Sequence, residues 1–160
     1  MDAKTLHYQD TIHHIEALIQ GETDAIAIMT TVSCELHHAF PYFHWTGFYR
    51  VTEPNLLKIG PYQGGHGCLR IPFEKGVCGA AARTGKTQCV PDVRQFPGHI
   101  ACSSTTQSEI VVPVFCKGML VAVLDIDSDL PAAFDETDQA YLEEICAMIG
   151  AAMDFNSGLT

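Results

Sequence analysis

The chain is short of positive charge: 160 residues carry nine Lys and Arg against nineteen Asp and Glu, a net charge of −10, and the nine cations are scattered rather than gathered into a stripe. That removes the electrostatic footprint by which proteins hold a phosphate backbone or an anionic lipid surface, so neither nucleic acid nor membrane is expected as a partner. No apolar run approaches the roughly 18 residues of a membrane span, and the segment after Met1-Asp2-Ala3-Lys4 has no apolar signal-peptide core. The expected location is the cytoplasm. There is no internal repeat, low-complexity tract or linker. No C-x-x-C pair exists and none of the eight histidines falls in an H-E-x-x-H spacing, so no metal site is expected.

Cysteine, by contrast, is plentiful. Seven cysteines, an odd number without an export signal, argue against a structural disulfide framework and for thiols that stay reduced between events. With 47% hydrophobic residues the chain can bury one substantial core and is too short for two ordinary domains, so a single domain over 1–160 is expected.

Ile12, Ile15, Leu18 and Ile19 recur at helical spacing, and Ala25, Ile28, Met29, Val32 and Leu36 do so again, predicting N-terminal helices over 5–38. Aromatic and β-branched residues over 42–51, a turn at Glu53-Pro54-Asn55 and a returning run from Leu56 predict a hairpin. Gly76 to Arg83 reads as a short helix closed by Gly85, and 90–93 as a short strand. A loop over 95–107 leads into a second, strongly apolar hairpin, 109–115 and 119–127, which completes the sheet and its loops over 42–128. Asp135 with Asp138 resembles a capping pair for a last helix over 135–153, striped by Leu142, Ile145, Met148, Ile149 and Ala152. Helices, then antiparallel strands, then a helix imply an α+β fold.

Two groups of residues carry chemistry. The first is thiol. Cys102 sits in Phe96-Pro97-Gly98-His99-Ile100-Ala101-Cys102-Ser103-Ser104, a loop setting in which a cysteine is more reactive than in a core, and Cys68 and Cys78 occupy glycine-bearing segments upstream. That makes one potential nucleophile and two potential thiol partners. Cys34, Cys89, Cys116 and Cys146 read as small buried hydrophobes.

The second group is acidic. Asp125 and Asp127 are two apart on a strand and share a face. A three-residue loop, Cys116-Lys117-Gly118, with Gly118 in the left-handed position of a bulge, would bring Glu109 opposite Asp125; a two-residue loop would set it opposite Ile126, facing away. The three-residue loop is the expectation. Three converging carboxylates cannot all ionise cheaply, so one keeps its proton near neutral pH while the others welcome a cationic ligand.

These residues resemble the free methionine-(R)-sulfoxide reductases, which are built on a GAF-type domain. The likeness covers nearly the whole chain and rests on Trp45-Thr46-Gly47-Phe48-Tyr49, Gly64 to Cys68, Gly76-Val77-Cys78-Gly79, Asp92-Val93, Gly98 to Ser103, Ser108 to Pro113 and Val123-Leu124-Asp125-Ile126-Asp127-Ser128. It implies a six-stranded antiparallel sheet with helices on one face and loops closing a small-molecule pocket on the other. It implies Cys102 as the catalytic cysteine, Cys68 as its resolving partner and Cys78 as a second recycling thiol. It further implies Glu109, helped by Asp127, as the acid at the sulfoxide oxygen, Trp45 and Tyr49 around the substrate methyl group, and Asp125, Asp127 and Glu109 around the free ammonium. No cofactor is implied, and thioredoxin is the implied reductant. A homodimer is compatible with the sequence and undecided by it. The rival expectation is a ligand-binding sensor of the same fold, for which the chain shows no output segment.

Overall fold

Short carboxylates start the first two helices of the computed structural model, which describes residues 2–99 and 102–154. Asp2 accepts the Thr5 N–H at 2.8 Å ahead of α1 (Ala3–Ile19), and Asp24 accepts the Ala27 N–H at 3.0 Å ahead of α2 (Ala25–Ala39). Tyr8, Ile12, Ile15 and Ile19 form the buried stripe of α1. Leu18, expected on it, is 50% exposed. One residue turns a helix by about 100°, which carries Leu18 from the buried line of Ile19 to its flank.

The strands are β1 (Trp45–Glu53), β2 (Leu56–Gln63), β3 (Arg70–Pro72), β4 (Gln88–Val90), β5 (Ser108–Cys116) and β6 (Met119–Ser128). They form one antiparallel sheet in the order β3-β2-β1-β6-β5-β4. β3, three residues ending in proline, was not anticipated from local pattern. The strand expected over 90–93 lies earlier, at β4, and Val93–Gln95 is a 3₁₀ turn begun by Asp92. The 42–51 strand starts only at Trp45. Of the loop expected over 95–107, Ile100 and Ala101 lie outside the described residues.

The β5–β6 hairpin corrects the expected register. Cys116 pairs with Met119 across a two-residue turn, Lys117-Gly118, with φ of 52° and 78°, the conformation that matches strand twist. Val114 then pairs with Ala122 while Phe115 pairs with Leu120, leaving Val121 as an extra residue in β6. This bulge shifts the count by one, so Glu109 stands opposite Asp127 and not Asp125. The shared face survives because turn and bulge together restore the parity that the turn alone would have broken.

Alternation along the strands makes two cores. Phe48, Ile110, Val112, Val114, Leu124 and Ile126 face α1, α2 and α4 (Glu136–Ala152). Trp45, Tyr49, Val111 and Val123 face the other way, with α3 (Gly76–Thr84) packed on them through Val77, Cys78, Ala81 and Ala82. Three helices thus cover one face, and α3 joins the loops on the other. Gly85 closes α3 at φ 68°, its N–H donating to the Ala81 carbonyl.

Asp135 and Asp138 form the anticipated capping box of α4. Asp138 does more: fully buried, it accepts from Tyr8 and Tyr42 hydroxyls at 2.6 Å each and from Lys4 Nζ at 2.7 Å, tying the start of α1 to the start of α4. No helix among the described residues is long and apolar enough to cross a membrane.

Candidate active site

Cys102 and Cys68 are joined by a disulfide, with Cα atoms 5.4 Å apart and a separation of 34 positions in sequence. Both are half-buried. The loop that brings Cys102 there is held at several points. Gly76 N–H donates to the Gly98 carbonyl at 3.0 Å, Thr105 Oγ1 donates to Asp129 Oδ1 at 2.9 Å, and Gln107 N–H donates to the Ser128 carbonyl at 2.8 Å. These bonds fasten the cysteine loop to α3 and to the end of the strand that carries the acidic residues.

Glu109, Asp125 and Asp127 converge under that loop. Glu109 is 7% and Asp125 4% exposed, and Asp127 is half-buried. Burial, reinforced by the charge of Asp125, pushes the Glu109 carboxyl well above the usual carboxylate range. Burial and then Asp127 do the same to Asp125, and burial and then Glu109 to Asp127. The three titrate as one unit and hold protons at a pH where separate carboxylates would have lost them. Asp125 Oδ1 and Asp127 Oδ1 are buried and have no hydrogen-bond partner among the described residues, so the site offers bare acceptors to an incoming donor.

Cys78, in the first turn of α3, is 3% exposed and is a free thiol. Burial, then the charges of Asp125, Glu109 and Asp127, push it well up, so it sits there as S–H rather than thiolate. Trp45 and Tyr49 stack at 5.8 Å between ring centroids, and Trp45 Nε1 donates to the Gly65 carbonyl at 2.7 Å. Gly67 lets the Cys68 loop lie on these rings: a Cβ there would come within 3.0 Å of both Trp45 Cζ2 and the Tyr49 hydroxyl.

One small cavity, about 40 Å³, is walled by Trp45, Tyr49, Cys78, Cys102, Glu109, Asp125 and Asp127 together. Cys68 reaches it through its bond to Cys102. His66, Gly67, Ile71, Gly76, Val77, His99, Ser103 and Thr106 complete the wall and were not among the expected site residues. His66 and His99 stand two and three positions ahead of the bridged cysteines in sequence, a nearness visible in the chain that suggested a metal site rather than a pocket wall. Burial lowers the pKa of His99.

Among the remaining cysteines, Cys116 and Cys146 are buried and Cys34 is half-buried, as small hydrophobes are. Cys89 departs from that expectation: it is exposed, because β4 is an edge strand, and its thiol donates to the Phe134 carbonyl at 3.6 Å.

The GAF domain model matches residues 10–153. Protein YtsP of Bacillus subtilis is 44% identical over 151 residues, 94% of this chain and 93% of that one. The free methionine-R-sulfoxide reductase of Escherichia coli is 38% identical over 146 residues, 91% of this chain and 88% of that one. Among solved structures, the free methionine-R-sulfoxide reductase of Neisseria meningitidis in complex with its substrate superposes with a TM-score of 0.88 at 44% identity, covering 94% of this chain and 90% of that one.

Proposed function

Since the chain belongs to the GAF domain family and, within it, to the free methionine-R-sulfoxide reductases, an oxidoreductase family, we propose that it reduces free L-methionine-(R)-sulfoxide by thiol chemistry at Cys102. The observation that carries the reading is the Cys68–Cys102 bridge lying against three proton-holding carboxylates in one cavity.

In the reduced enzyme the Cys102 sulfur attacks the sulfoxide sulfur. Glu109, protonated because it is buried beside Asp125, gives its proton to the sulfoxide oxygen, with Asp127 opposite it across the strands. Methionine leaves and the oxygen remains on Cys102 as a sulfenic acid. Cys68 attacks that sulfur, water departs, and the bridge seen here forms. A dithiol of the thioredoxin type then opens it by exchange. The net change is one oxygen removed as water for one dithiol oxidised, with no cofactor required.

The bare oxygens of Asp125 and Asp127 suit the substrate's α-ammonium, whose charge also eases formation of the Cys102 thiolate. Trp45 and Tyr49 form an apolar wall for the methyl group. A peptide-bound methionine sulfoxide has an uncharged amide where the ammonium should be and would leave the buried carboxylates without the cation they suit, which supports preference for the free amino acid. Cys78, buried and held as a thiol, is the weaker candidate for recycling.

The test supplies each sulfoxide epimer of free methionine with a dithiol reductant and measures methionine released by the wild type and by Cys102→Ser. Release from the R epimer alone, abolished by the substitution, is expected. Equal release from both proteins, or none from either, would remove the mechanism and leave the sensor reading.

A further inference from the structure

Cys78 and two of the carboxylates are placed for something the reduction does not use. Cys78 Sγ, a Glu109 carboxylate oxygen and an Asp125 carboxylate oxygen all lie within 4.8 Å of one another. Their residues are 3%, 7% and 4% exposed, and all three wall the same cavity. A tetrahedral zinc ion with a sulfur ligand at about 2.3 Å and oxygen ligands at about 2.0–2.2 Å sets its donors about 3.4–3.6 Å apart, inside that limit. One sulfur and two oxygens form a borderline-soft donor set that suits zinc better than calcium or magnesium, which take oxygen alone.

A second observation points independently to a cation. Asp125 Oδ1 is buried and has no hydrogen-bond partner among the described residues, although it belongs to a side chain on the cavity wall. An acceptor left bare in a protein interior is a cost unless a ligand meets it.

We propose that this pocket takes up a zinc ion through Cys78, Glu109 and Asp125, its fourth position facing the cavity, and that the ion shuts out the substrate. The protons these three groups hold leave to solvent as the ion enters, so uptake strengthens as pH rises. The exclusion rests on the reading that the substrate's ammonium lodges among the same carboxylates; the ion site itself does not. Because Cys78 is free while Cys68 and Cys102 are bridged, the site persists in the oxidised protein, where neither catalytic thiol can bind metal. Zinc would therefore hold the enzyme idle in both redox states without oxidising anything.

The full chain with its disulfide intact is titrated with Cd²⁺, and sulfur-to-cadmium charge-transfer absorbance is followed; Zn²⁺ is titrated in parallel against a chromophoric chelator. One equivalent with a charge-transfer band is expected. Both Cys78→Ser and Glu109→Gln should weaken binding at least about tenfold, as loss of a ligand or its close support does, whereas Cys89→Ser and Cys34→Ser should leave it unchanged. Circular dichroism confirms that each variant is folded, and Glu109→Gln keeps the test alive if Cys78→Ser is not. An absent band, or equal binding in wild type and both site variants, overturns the ion site.

In a Cys68→Ser, Cys102→Ser protein, where no catalytic thiol is left to bind metal, free L-methionine, which carries the same ammonium, should weaken apparent zinc affinity in proportion to its concentration. Zinc binding indifferent to methionine overturns the exclusion and leaves the ion site standing. Turnover of the sulfoxide without added metal is measured separately, so failure of the reductase reading cannot be mistaken for failure of the ion site.

Discussion

Glu109 on β5 stands directly opposite Asp127 on β6, one carboxyl facing another across an antiparallel pair in a buried pocket. Like charges in this position repel, and the structure tolerates the pairing because burial keeps protons on the cluster. The same feature that costs the fold stability keeps a carboxylic acid protonated at a pH where an exposed carboxyl would have ionised. Two consequences, one for rate and one for stability, follow from that single pairing.

The rate consequence concerns Glu109→Gln, which keeps the shape and removes the proton donor. It should lower kcat for free methionine-(R)-sulfoxide by about 10²–10⁴-fold, the usual contribution of a positioned general acid. Wild-type single-turnover rates should hold through the ordinary carboxylate range and fall only as pH rises through the raised pKa of Glu109. A pH–rate profile of both proteins checks this; an unchanged alkaline limb in Glu109→Gln would assign the acid elsewhere.

For stability, the sign follows from pKa values that are higher folded than unfolded. Carboxyls raised in the fold stabilise it fully below their unfolded pKa of about 4, and that contribution is lost as pH rises through the folded values. Asp125→Asn should therefore gain stability relative to wild type as pH is raised, because it removes one member of the repelling trio. Urea denaturation at a series of pH values measures the difference, and a gap that narrows with rising pH contradicts it.

Cys68→Ser should still release one equivalent of methionine per enzyme and then recycle poorly with thioredoxin, since the bridge partner of Cys102 is gone. Rapid-quench measurement of the first turnover beside steady-state turnover separates the two. Full-rate recycling would move the resolving role to Cys78.

Asp138→Ala should destabilise the protein by about 2–4 kcal/mol, because it strands the Tyr8 and Tyr42 hydroxyls at a buried junction, takes one of two carboxylate partners from Lys4 and breaks the capping box. Activity per folded molecule should not change, since the junction belongs to the opposite layer from the cavity. Chemical denaturation and kcat of the same preparation provide the check.

Gly67→Ala should raise KM more than it lowers kcat, because the added Cβ would press on Trp45 and Tyr49 and push the Cys68 loop off the aromatic wall. Steady-state kinetics at saturating and subsaturating substrate distinguish this from a loss of chemistry, in which kcat would fall with KM unchanged.

The helices were readable because their signals are local. Asp24, Asp135 and Gly85 sit where caps belong, and the spacing from Ala25 to Leu36 marks a buried face whatever packs on it. β3 was not readable, since Arg70–Pro72 is too short to show a period and is a strand only because β2 lies beside it. Cys89 was misjudged for the same reason, since exposure on a strand depends on what a neighbouring element covers, whereas Leu18 lies one residue off the buried line of its own helix.

The site divides along the same line. Its residue types, a loop cysteine with two thiol partners and carboxylates two apart on a strand, are written in the chain, and so was the shared face of Asp125 and Asp127, whereas Glu109 joins that face through a turn and bulge other than the loop expected. Which carboxylate opposes which was not, because it turns on Val121 being squeezed out of the β5–β6 ladder, an event set by how two strands and their twist fit together. Nor could sequence order alone bring Cys102 to Cys68, 34 residues away, or press both against Cys78 and the acids. Chain order determines covalent chemistry and local geometry; proximity, burial and therefore the protons held in this pocket belong to the folded sheet, since only long-range packing excludes the water that would let those acids ionise.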